Sequence, residues 1–360
     1  MKELMNPPET AKSAKVSLKK ALLFFLKFAI AGGIIAWMIH KYHANIEKSL
    51  TNIEPAWLIT AFALYLLSQM AGAFRFMLLL NVQNIKISFK ESFSLLMIGN
   101  FFSLVIPGGS VGGDIPKAGF LASRTKKGEK LKGVFTILID RVIGMVALFS
   151  FAAMMALLCF KYLSNLNGVM VIAVYTLLFG CVFGLAATIV LLFHRTLEKI
   201  SLIRWLIGLG NRLTKGSLST LMSAMDDFRK KYVTLILCLL ISIFFVHANI
   251  VVVIMCMAKG LGVQNMNVPL FLFVTVIGNA AGTIPLTPSG VGTRDIIMQK
   301  LLAAIGIVEQ SAAIPIIFSC FVLLFNLSGG IFLLLRKGND LSHEDMENTK
   351  KSEGITILPQ

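Results

Sequence analysis

Apolar runs of about 20 residues recur from one end of this chain to the other, and they restrict its fold more than any other feature. A helix of that length crosses the hydrocarbon layer of a bilayer, where every backbone N–H and C=O must be satisfied within the protein. Hydrophobic residues make up 56% of the chain and charged residues 14%, against about 25% charged in an ordinary soluble domain. The pattern predicts an all-α polytopic membrane protein with about six full spans, at 18–39, 55–80, 133–160, 168–193, 232–258 and 311–335. No polar region is long enough to form a separate soluble domain.

Two further apolar stretches, 91–123 and 268–306, are each interrupted by the pattern Pro-x-Gly-x-x-x-x-Asp. The first copy is Pro107-Gly108-Gly109-Ser110-Val111-Gly112-Gly113-Asp114, and the second is Pro288-Ser289-Gly290-Val291-Gly292-Thr293-Arg294-Asp295. Asn100 and Asn279 stand a short way upstream. Proline and glycine break helices, and a carboxylate in an apolar setting is expensive. A membrane protein tolerates such a segment where it is buried in protein or lines a wet cavity. Each motif therefore reads as the tip of a helical hairpin, with Gly109, Gly113 and Gly290 giving close backbone approach and N–H groups that attract anions.

The basic residues set the topology. The formal net charge of +16 is concentrated in short loops, which fits positive-inside topology and anionic headgroups and argues against nucleic acid. Lys86 and Lys90 precede the first broken segment, and Lys117, Arg124, Lys126, Lys127, Lys130 and Lys132 run through and beyond its second half. Both of its ends should face the cytoplasm, so this segment should enter the bilayer, turn at the motif and come back, although hydropathy alone would equally read each broken segment as a full span or a pair of short ones. The loop 194–231 is also basic and includes an amphipathic stretch at 200–213. The loops near Lys41, Lys161 and Lys259 are poor in basic residues and should face outward. Both termini are then cytoplasmic, and the second hairpin enters from outside.

Corresponding elements of the two halves are offset by about 180 residues (55 to 232, 107 to 288, 133 to 311), which implies an inverted-topology repeat. The expected organisation is a tail at 1–17, a first repeat at 18–160, an inverted second repeat at 161–335 and a polar tail at 336–360. The basic lead before the first apolar run has no small-residue cleavage site after it, so that run reads as an uncleaved span. The five cysteines lie in apolar runs without metal-ligand spacing and read as small buried hydrophobes.

The polar residues inside apolar sequence are the candidate substrate-binding groups. Asp114 and Asp295 are either first-turn helix caps or functional carboxylates. Arg75 and Lys117 either meet a phosphate or snorkel to the interface, and Arg294 either meets a phosphate or pairs with Asp295. Arg124 completes the cations near the first tip. Asp140 and Arg141 are adjacent on one apolar helix and cannot face each other, so at least one needs a partner from a hairpin or another span. His247, Asn249 and Asn326 read as interhelical hydrogen-bonding residues. No metal-binding spacing, cofactor fingerprint or phosphate loop is present in the sequence.

Arg75, Asn100-Phe101-Phe102, Pro107-Gly108-Gly109, Gly112-Gly113-Asp114, Asp140-Arg141 and Pro285-x-x-Pro288-x-Gly290-x-Gly292 together resemble the lysylphosphatidylglycerol synthase transmembrane family over about 15–335. The resemblance implies a lipid flippase without the cytosolic aminoacyl-transfer domain of the full-length resistance factor. It departs from the family at Ser289 and Asp295, where glycine and glutamate are usual, and at Lys117, often arginine. The expected protein moves an anionic or phosphate-bearing lipid across a bacterial or archaeal cytoplasmic membrane, without a cofactor. The second reading is an integral-membrane enzyme, or the partner of a lipid-synthesis enzyme, in lipid-headgroup modification. A third is a non-transporting scaffold.

Overall fold

The computed structural model describes residues 29–51, 53–106, 110–125, 129–159, 217–284 and 287–352, with Leu26 and single positions between 168 and 182; the helix beyond 335 is described as backbone only. The expected span at 168–193 and the amphipathic stretch at 200–213 lie outside the described residues, apart from those single positions.

Among the described residues all regular structure is helical. In chain order the helices are α1 (Ala29–Lys41), α2 (His43–Thr51), α3 (Pro55–Val82), α4 (Phe89–Val105), α5 (Ser110–Arg124) and α6 (Lys130–Leu158). They continue with α7 (Ser217–Lys230), α8 (Tyr232–Gly260), α9 (Val268–Gly282), α10 (Thr293–Ala304) and α11 (Ala313–Ser352). Four of them, α3, α6, α8 and the Ala313–Leu335 part of α11, are long and apolar enough to cross a bilayer. The chain is therefore a membrane protein. The broken segments are the helix pairs α4–α5 and α9–α10, and each pair packs against itself.

Local chemistry fixes the helix ends. Pro55 opens α3 at a position whose N–H would be unpaired anyway. Asn84, with φ 60°, closes it. The Asn84 N–H bonds Asn81 O and the Ile85 N–H bonds Leu80 O, as in a Schellman cap. Ser88 accepts from the Glu91 N–H at 3.2 Å to start α4, and Asn267 accepts from the Leu270 N–H at 3.3 Å to start α9.

α8 is interrupted by a π-helical segment, Ser242–Ala248. No sequence signal announced it. Widened turns of this kind recur at functional sites.

The packing has a reciprocal pattern. α3 lies on α8, α4 lies on α11, and α9 lies on α6. Each broken pair thus rests on the last long helix of the other half. The main apolar core joins α3, α6, α8, α9, α10 and α11 through residues such as Leu148, Ile254, Phe271 and Phe318.

Two backbone crossings hold the broken pairs tight. A Cβ on Gly113 would fall on the Gly99 carbonyl, so α4 and α5 cross with no side chain between them. A Cβ on Gly290 would lie 2.6 Å from Gly282 O, and its φ of 72° suits glycine. The expected close approach is thus present at both tips. Among the described residues positive φ is found at the second tip, while Gly112 and Gly113 are helical residues of α5.

Candidate functional site

Arg75, Asn100, Asp114, Lys117, Asp140 and Arg141 gather around one cavity of about 280 Å³. Its wall is completed by Leu96, Gly99, Gly144, Met145, Leu148, His247 and Thr283. Six elements contribute: α3, α4, α5, α6, α8 and the turn that follows α9.

Asp140 and Arg141 take separate partners on other helices. Asp140 accepts from Arg75 Nε at 2.8 Å. Arg75 also donates from Nη1 to Ser242 Oγ at 2.7 Å. Ser242 in turn donates to Cys238 O at 2.8 Å, so the π-helical segment of α8 receives the arginine. Arg141 forms a two-pronged pair with Asp114 on α5, Nε to Oδ2 and Nη2 to Oδ1. Arg75 points inward and does not snorkel. Only 9% of it is exposed, and Gly144 leaves room for its guanidinium, 3.4 Å from where a Cβ would lie.

Lys117 is buried, with 5% of its surface exposed, and it does not snorkel either. Its Nζ stands 4.0 Å from Asp140 Oδ2, beyond hydrogen-bond range, and 3.5 Å over the Phe76 ring. The cavity is therefore lined by three cationic side chains and two carboxylates. Asp140 is held by Arg75, and Asp114 is held by Arg141. The carboxylate nearest the Lys117 amino group is too distant to accept a hydrogen bond from it. An oxyanion entering the cavity would supply that acceptor.

Capping is the structural role of Asp295 but not of Asp114. Asp295 is fully buried and accepts from the Gly292 N–H at 2.9 Å in the first turn of α10. It also accepts from Arg294 Nε at 3.1 Å and from Ser319 Oγ at 2.5 Å. Arg294 donates to Ser319 as well and lies 4.4 Å over the Phe318 ring. α5, in contrast, begins at Ser110, before Asp114. Helix therefore precedes Asp114 as well as following it through 115–123, and the carboxylate points to Arg141.

The other expected residues are placed elsewhere. Arg294, Asp295 and Gly290 form a separate buried cluster at the start of α10, away from the cavity wall. Asn279 is half-buried on α9 and does not line the cavity. Arg124 is exposed at the end of α5. Gly113 packs on Gly99, behind the cavity wall. Gly109 lies outside the described residues.

The second tip reaches the cavity through a chain of hydrogen bonds. Asn326 on α11 donates to Ser289 Oγ at 3.0 Å. Ser289 and Ser103 hydroxyls lie 3.2 Å apart, and Ser103 donates to Asn100 O at 2.6 Å. With the Ser103 proton committed, Ser289 is the donor to Ser103. Asn100 also donates to Gln69 Oε1 at 3.1 Å. Asn249 and His247 are interhelical as expected: Asn249 bonds Leu64 O and Ser68 Oγ, both at 2.7 Å, and His247 Nε2 lies 3.1 Å from Gly144 O. Ser242, Ser103 and Gln69 escaped the sequence reading because a lone serine or glutamine in an apolar run carries no pattern.

The chain belongs to the lysylphosphatidylglycerol synthase TM region family, whose profile matches residues 24–330. It is similar to a UPF0104 membrane protein of Pyrococcus horikoshii, 23% identical over 340 residues, covering 88% of this chain and 97% of the relative. No solved structure matches the chain.

Proposed function

We propose that this protein is a flippase that moves an anionic or phosphate-bearing lipid across the cytoplasmic membrane. The observation that carries the reading is Lys117, a buried lysine with no carboxylate in hydrogen-bond range, in a cavity whose described wall holds three basic side chains and two carboxylates. Such a group is expensive in apolar surroundings unless a ligand uses it. Arg75 and Arg141 are positioned beside it by their own carboxylates, so a phosphate would meet a preorganised wall. Membership of a family described by a lipid with a phosphodiester headgroup points the same way.

The transport frame rests on the order of elements. α3-α4-α5-α6 and α8-α9-α10-α11 both run long, short, short, long, and their mutual packing is reciprocal. With basic loops cytoplasmic, this supports two inverted repeats with re-entrant hairpins and alternating access between them. The full count of spans and the cytoplasmic placing of both termini belong to the same reading.

Liposomes reconstituted with the purified chain and fluorescent phospholipids test it. Transfer of phosphatidylglycerol between leaflets should be lost in Lys117→Gln and Asp140→Asn/Arg141→Gln. Equal rates in wild type and variants across several lipids would overturn the proposal. Recovery of chemically altered lipid would favour a membrane enzyme instead.

A further inference from the structure

A second cavity, of about 560 Å³, adjoins the first between α6, α7 and α8. Phe135, Ile139 and Val142 on α6 face Leu235 and Leu239 on α8, and Phe228 on α7 closes one end. Among the described residues Arg141 is the one charged residue in its wall, and Arg141 and Met145 line both cavities. The closed end is firmly built. Phe228 is fully buried, with its ring centroid 6.3 Å from that of Phe135. Asp227 pairs with Lys132 at 3.0 Å, and Gln83 donates to Ala224 O at 2.9 Å.

A charged cavity thus shares part of its wall with an apolar one, and the shared arginine has its guanidinium fixed by Asp114. That is the polarity profile of an amphiphile. Its size lies within the range of about 300–1,000 Å³ typical of ligand sites.

We infer that the second cavity holds one hydrocarbon chain of the lipid whose headgroup enters the first, with Arg141 marking the boundary between head and tail. The inference rests on the proposed function. The chain lies along α6 toward α7 while the head is held at mid-helix, so the slot orients a lipid caught partway across. Hydrocarbon gains little by leaving a bilayer for another apolar surface. The slot therefore sets the register of the lipid, and the charged cavity supplies the selectivity.

The test uses the full chain in phosphatidylcholine nanodiscs doped with phosphatidylglycerol that carries a photoreactive diazirine at the end of one acyl chain. Labelled peptides should map to 135–146 and 235–239. Labelling should fall roughly tenfold in Lys117→Gln, and by a similar factor when the diazirine is carried on diacylglycerol, which lacks the phosphate, as loss of one charge-assisted contact predicts. Leu239→Trp should fill the slot and abolish the label, while Leu239→Met, close in volume, should keep it. Equal labelling by the two lipids, unchanged in Lys117→Gln while that variant still loses transfer, overturns the slot and leaves the headgroup reading standing. If Lys117→Gln changes neither labelling nor transfer, the headgroup reading falls, and the slot with it. A disulfide formed readily between Leu239→Cys and a cysteine introduced within 160–216 shows that the chain fills its own groove, and overturns the inference.

Discussion

Lys117 and Asp140 line the same cavity, yet neutralising them should have opposite consequences for the fold. Asp140 is the sole carboxylate within reach of both Arg75 and Lys117 among the described residues. Asp140→Asn leaves two buried cations without a counter-charge, and breaking a buried pair in this way costs about 3–5 kcal/mol. Lys117→Gln leaves the Arg75–Asp140 bond at 2.8 Å intact. The attraction lost is about 4 kcal/mol for unit charges 4 Å apart at an effective dielectric of about 20. Against it stands the several kcal/mol saved by no longer burying an ammonium. The two nearly cancel, so Lys117→Gln should unfold within about 1 kcal/mol of wild type. Its loss should appear in binding. A hydrogen bond to a charged group is worth about 1.5–3 kcal/mol, or roughly 10- to 150-fold in affinity for an anionic lipid. Thermal unfolding in detergent, run beside equilibrium binding of fluorescent phosphatidylglycerol, reads both quantities. If Lys117→Gln unfolds as early as Asp140→Asn, Lys117 is part of the scaffold. If its affinity is unchanged, the acceptor it lacks is not the lipid. Either result refutes the argument.

Three further outcomes follow from the packing. Gly113→Ala places a methyl group on the Gly99 carbonyl, so it should destabilise by about 1–3 kcal/mol through overpacking; a thermal midpoint equal to wild type would show that α4 and α5 separate freely. Ser289 holds φ at 51° and bonds Asn326 and Ser103; Ser289→Gly should exchange about 1 kcal/mol of relieved backbone strain for a similar hydrogen-bond loss and leave the midpoint nearly unchanged, whereas Ser289→Val should lower it. Asp295→Asn should lower stability by about 2–4 kcal/mol, because it weakens a buried pair with Arg294 and the contacts to Gly292 and Ser319, while the headgroup affinity measured by lipid binding stays near wild type.

The long apolar helices were legible because bilayer thickness imposes their length. The expected spans 55–80, 133–160 and 232–258 correspond to α3, α6 and α8 within a few residues. That at least one of Asp140 and Arg141 needs a partner on another element was legible too, because adjacent helix positions diverge in direction. Which partners they take depends on helix rotation, and hydropathy carries no information about rotation. The π-helical turn that brings Ser242 to Arg75 was invisible for a related reason: its sequence, Ser-Ile-Phe-Phe-Val-His-Ala, has no proline or glycine to mark it. The twin motifs misled in one respect. Their shared spacing suggested matched aspartates, but the first helix starts four residues before its aspartate and the second starts two residues before (Ser110 to Asp114, Thr293 to Asp295). That shift frees Asp114 for Arg141 and commits Asp295 to the cap.

The same magnitudes indicate where a transport movement would open the structure. Within the first broken pair, α4 and α5 touch backbone to backbone at Gly99 and Gly113, and α5 is bound to α6 by the Asp114–Arg141 pair. Within the second, Gly290 sits against Gly282, and Arg294 and Asp295 are sealed under α11. Separating either set exposes buried charge at several kcal/mol. Between the two tips, by contrast, the side-chain hydrogen bond is Ser289 to Ser103, a neutral contact worth about 0.5–1.5 kcal/mol. Water or a headgroup can replace it at little cost. Under the flippase reading, each broken pair then moves as a unit and the Ser103–Ser289 contact between the tips parts. Under that reading Asn100 would sense it, because its carbonyl accepts from Ser103 and the residue lines the charged cavity. Occupancy by a lipid head and opening between the tips would then be linked through a single half-buried asparagine.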